Sequence, residues 1–107
     1  MNDCDREKPP KCVLAGMQLI RGWLEQFGYT SATGRYVIGK CIQATFMHDH
    51  ILKPDLIITI YFSDSSIIMK RRYNDDSYIG TLADPNIRDK IDAATEWMMV
   101  NPQPMQD

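Results

Sequence analysis

From Lys11 onward the apolar residues Val13, Met17, Ile20, Leu24 and Phe27 recur at spacings of four and three, which places them on one face of a helix. Leu14 and Trp23 widen that stripe. Gly28 follows where a helix needs a left-handed residue at its end, so the helix is predicted to stop there. Residues 1–10 mix both charges and close on Pro9-Pro10, the composition of a flexible tail leading into a helix.

After a turn-rich segment over 29–34 the pattern changes to alternation. Tyr36, Ile38, Ile42, Ala44 and Phe46 share one parity, which predicts a single strand facing a core, with Lys40 as the exception. A lysine buried there would be a candidate base or nucleophile; a bulge at Gly39 or a place at the sheet margin would explain it more simply. A second strand follows Pro54, with Leu56, Ile58, Ile60 and Phe62 on one face and Ile57, Thr59, Tyr61 and Ser63 on the other. The polar run 63–66 is hairpin-loop chemistry, so residues 67–73 read as its partner, and 78–82 as a short edge strand after the turn at 74–77. Asp84-Pro85 is a helix start, and Ile87, Ile91, Ala94 and Met98 form its inward stripe beside Trp97, up to Asn101-Pro102.

The order predicts an α+β fold: an N-terminal helix, a three- or four-stranded antiparallel sheet and a C-terminal helix, both helices on one sheet face. At 107 residues and 44% hydrophobic content this is one domain over 11–101, with 102–107 frayed. The second sheet face, carrying Val37, Cys41, Thr45, Met47, Ile57, Thr59 and Tyr61, is too apolar for ordinary exposure. It is either covered by its own chain or used for contact.

Charge and chemistry change this picture little. Twelve basic against fourteen acidic residues give a net charge of −2, which disfavours nucleic acid as a partner. Lys70, Arg71, Arg72 and Tyr73 form the one concentrated basic patch; in a strand Arg71 and Tyr73 share one face and Lys70 and Arg72 the other. Such a patch can grip phosphates and stack bases, or simply keep an edge strand from aggregating. His48, Asp49 and His50 could supply two metal ligands or an acid-base pair, with Asp55 or a cysteine completing the set, although unliganded loop histidines are commoner. Trp23 and Trp97 are expected in the core. Cys4, Cys12 and Cys41 show no CxxC spacing, and the longest apolar run, 56–62, falls far short of the about 20 residues of a membrane span, so a reducing cytoplasm is expected. Phosphate-loop, dinucleotide, serine-hydrolase and zincin motifs are absent, and no cofactor is implied.

The leading expectation is therefore a non-enzymatic protein that homodimerises through the second sheet face and binds a protein partner, with Cys41, Ile57, Thr59 and Tyr61 at the contact. A metal-dependent or small-molecule catalytic domain, its cleft lined by Tyr61, Lys40 and His48, is one alternative. A nucleic-acid binder using Arg71, Arg72 and Tyr73 is the other.

Overall fold

A computed structural model describes residues 9–31, 36–50, 53–71 and 77–100. Its elements run α1 (Lys11–Glu25), β1 (Tyr29–Ser31), β2 (Tyr36–Ile38), β3 (Cys41–His48), β4 (Leu56–Tyr61), β5 (Ser66–Arg71), β6 (Ser77–Thr81) and α2 (Ile87–Val100). All pairings are antiparallel, in the order β1-β3-β4-β5-β6, and β2 lies beside β3 on the same edge as β1. The fold is α+β as the periodicities predict, with six strands where three or four were expected. Residues 1–8 of the tail expected over 1–10, and the end expected to fray over 102–107, lie outside the described residues.

Two local features account for the extra strands. Residues 29–34 read as turn, yet Tyr29–Ser31 pairs with Phe46–His48 and Tyr29 is fully buried. The strand expected to run from Tyr36 to Phe46 is folded back on itself at Gly39-Lys40, with Ile38 opposite Cys41. Gly39 has φ 61° at the first central position of this two-residue loop, which glycine adopts without a Cβ penalty and which suits the right-handed twist of the two strands. The turn also reverses the expected facing of β2. Ile38 now shares a face with Cys41, and Val37 with Ile42, because directly paired residues point the same way. Lys40 stands exposed in the loop, neither buried nor in a bulge.

The inner face carries Ile42, Ala44 and Phe46 of β3, Leu56, Ile58 and Ile60 of β4, and Ile67 and Met69 of β5. Val13, Met17, Ile20 and Leu24 of α1 and Ile87, Ile91 and Met98 of α2 complete one core with them, so both helices pack on that face. Trp23 is half-buried at its margin; Trp97, expected inside, is 54% exposed. Asp84 opens α2 as expected, accepting a hydrogen bond from the Asn86 N–H at 2.8 Å, although the helix proper starts at Ile87. Hydrogen bonds from Lys90 and then from the Asn86 N–H hold its carboxyl below the usual range.

Candidate functional site

The candidate residues fall in three places. The first is the outer sheet face. Cys41 pairs directly with Tyr61, Thr45 with Ile57, and Gln43 with Thr59, so the four residues singled out from the pattern lie side by side on β3 and β4. The next strands extend the surface: Ile68 is opposite Thr59, Lys70 opposite Ile57, and Tyr78 opposite Ile68. Tyr78 lies there because a bulge between Ile67 and Ile68 leaves Ile79 as the extra residue on β6. No described residue packs over this face. Ile38 is 45% exposed, Met47 47%, Tyr61 39% and Tyr78 65%, with Cys41, Ile57, Thr59 and Ile68 half-buried between them. Ile38, Gln43, Ile68 and Tyr78 are the members that pattern reading did not name. The Ile67-Ile68 pair, apolar on both faces of its strand as in β4, was the available signal.

This face is mostly uncharged. The Gln43 amide donates to the Thr59 hydroxyl at 3.1 Å. The Cys41 thiol donates to the Ile38 carbonyl at 3.0 Å, and burial pushes its pKa up, away from the reactive thiolate.

The second place is the far end of β3, around the histidines. His48 points to the inner side, its ring 5.0 Å from that of Tyr29 and nearly perpendicular to it. Its Nδ1 accepts the His50 N–H at 2.8 Å, so Nε2 carries the proton that it donates to the Phe27 carbonyl, also at 2.8 Å. Gly28, at φ 92°, lets the chain pass over this ring, and a Cβ there would sit 2.6 Å from Nε2. Both ring nitrogens of His48 are thus used: Nε2 joins the end of α1 to the end of β3, and Nδ1 holds the turn that follows β3. The His50 ring lies 6.5 Å from it, and Asp49 is exposed. Among the described residues no three His, Cys, Asp or Glu side chains gather closely enough to hold a metal ion.

The third place is the end of β5. Arg71 is 1% exposed and on the inner face, where its Nη1 donates to the Met98 carbonyl at 3.2 Å and its guanidinium lies 5.4 Å from the centre of the Trp97 ring. It does not offer its charge to a phosphate in solution. Lys70 projects from the outer face, opposite Ile57; Arg72 and Tyr73 lie outside the described residues. Nor do Tyr61, Lys40 and His48 line a common cleft: Lys40 precedes β3 and His48 ends it, about 26 Å apart at about 3.3 Å per residue.

No described helix is long and apolar enough to cross a membrane. Comparison with protein-family models, with curated proteins and with solved structures gives no match.

Proposed function

We propose that this chain is a non-enzymatic protein-binding module that homodimerises through the outer face of its sheet, its first protein partner being a second copy of itself. The observation that supports this reading is the outer face, which no described residue covers and where Ile38, Met47, Tyr61 and Tyr78 keep between 39% and 65% of their surface in water. Apolar surface in such a contiguous block is favourable to bury, at about 25 cal/mol per Å². Five strand positions about 4.8 Å apart and six residues of about 3.3 Å give a face on the order of 400 Å² in projection. Side-chain relief raises its accessible area toward the about 800 Å² that each partner contributes to a standard interface.

A non-enzymatic role is supported by how the polar candidates are engaged. Lys40 is exposed in the loop before β3 and Tyr61 lies on the outer face, whereas His48 and Arg71, both near Tyr29 on the inner side, bond to backbone groups, His48 through both ring nitrogens. The free thiols of Cys12 and Cys41 suit a reducing cytoplasm.

Light scattering over a concentration series tests the proposal. Wild type is expected to reach a dimer by high micromolar concentration, and Tyr61→Asp, which buries a carboxylate in the contact, to weaken association by about 30-fold or more. A strict monomer at that concentration, unaltered by Tyr61→Asp, overturns it.

A further inference from the structure

The centre of the outer face is not its most apolar part. β4 is the middle strand of the five sheet positions, and Thr59 is the middle of its three outward residues, Ile57, Thr59 and Tyr61. Beside Thr59 is Gln43, which spends one amide N–H on the Thr59 hydroxyl at 3.1 Å. Around this pair stand Cys41 and Tyr61 at one end, Thr45 and Ile57 at the other, and Ile68 across β5. A carboxamide ringed by apolar and hydroxyl side chains still has its carbonyl oxygen and a second N–H to satisfy when the ring is sealed from water, since a buried polar group left without a hydrogen bond is destabilising.

A carboxamide is self-complementary. Two of them brought together across a two-fold axis exchange N–H···O bonds in both directions, which no single unlike group does as simply. In an isologous contact the residues near the axis meet their own twins. The charge distribution agrees with a twin: Lys70 is the only charged side chain that the register places on this face among the described residues, and it lies in the outer row with Thr45 and Ile57, away from the centre. At the centre, an acidic or basic partner would find no complementary charge among the described residues.

We infer that the second copy docks face to face about a two-fold axis at Gln43, and that the reciprocal Gln43 pair sets the register of the dimer. This rests on the outer-face dimer proposed above and adds the position of its axis. A polar pair at the centre of an otherwise sliding apolar contact costs affinity and selects one alignment, as buried amides do between helices.

Gln43→Glu tests the axis. Its carboxylate can still accept a hydrogen bond from the Thr59 hydroxyl, so the monomer keeps its fold, to be checked by circular dichroism. Two such carboxylates facing each other repel, and the dimerisation constant is expected to fall about 100-fold at pH 7. Near pH 4 the carboxyls protonate, pair reciprocally as the amides do, and restore association, with wild type measured at both pH values. Lys70→Glu, which changes charge at the margin, is expected to alter the constant by no more than about threefold. A wild-type dimer that Tyr61→Asp breaks and Gln43→Glu leaves intact keeps the outer face as the contact but removes the axis from Gln43. A wild-type monomer, or a dimer indifferent to both substitutions, overturns the axis and the dimer face together.

Discussion

The Tyr29 hydroxyl donates to the Pro54 carbonyl at 2.7 Å, from a side chain that is fully buried. Burial pushes its pKa up to about 12; the nearby Asp55 adds to the rise and Arg71 opposes it. In the unfolded chain the same phenol titrates near its ordinary 10. The folded pKa is the higher one, so the contribution of Tyr29 to stability is complete below about pH 10 and is lost as pH rises from about 10 towards 12. Tyrosinate absorbance of wild type minus that of Tyr29→Phe should therefore show a group that ionises near pH 12, and the pH dependence of stability in that window should shrink in Tyr29→Phe. A difference curve centred at pH 10 would contradict the buried placement of this phenol. The neighbouring His48 acts by the same economy, Nε2 meeting the Phe27 carbonyl at the chain reversal before Gly28 and Nδ1 the His50 N–H just after β3.

Among the elements, α2 shows how a helix end can be completed from elsewhere in the chain. Its last turn contains no basic residue of its own. Arg71 of β5 donates to the Met98 carbonyl, and Lys53, from the connection before β4, donates to the Met99 carbonyl at 3.4 Å. Both cations stand where the negative end of the helix dipole favours positive charge. Arg71→Met keeps much of the side-chain volume and removes the charge. It is expected to cost about 2–4 kcal/mol, from the lost charged hydrogen bond and the loss of the guanidinium from the Trp97 ring. Hydrogen exchange should quicken first at the C-terminal amides of α2. An unchanged melting temperature together with unchanged exchange would refute the anchoring role. Further along the chain, Thr95 is buried in the same helix and satisfies its hydroxyl internally, donating to the Ile91 carbonyl at 2.8 Å.

For the whole molecule, the layered arrangement of the described residues covers one sheet face and places nothing over the other. The helices seal the inner face into a single core, while the outer face keeps Tyr61 and Tyr78 in contact with water. If that face closes on a second copy, folding and association are linked, and the melting temperature of wild type rises with protein concentration. Tyr61→Asp, expected to weaken association without touching the core, should melt at a temperature that depends less on concentration. Calorimetry across a hundredfold concentration range separates the two; a flat wild-type curve would deny the linkage.

The hydrophobic pattern alone determined both helices, with Val13, Met17, Ile20 and Leu24 inward on one and Ile87, Ile91 and Met98 on the other. It also determined the two faces of β4 and the α+β class, because helical and strand periodicities are local properties of a chain that must bury one side. It placed Cys41, Ile57, Thr59 and Tyr61 on a common surface for the same reason. Tertiary structure decided the rest. The hairpin at Gly39-Lys40 lies inside an alternation that a straight strand would satisfy equally well, so only pairing of Ile38 with Cys41 reveals that β2 faces the other way. Arg71 reads as a surface charge until the end of α2, 27 residues away, supplies the carbonyl that makes its burial tolerable. Gln43 is one polar residue among several until β4 sets Thr59 beside it at the centre of the outer face. Each of these depends on contacts between residues distant in sequence, which periodicity does not encode.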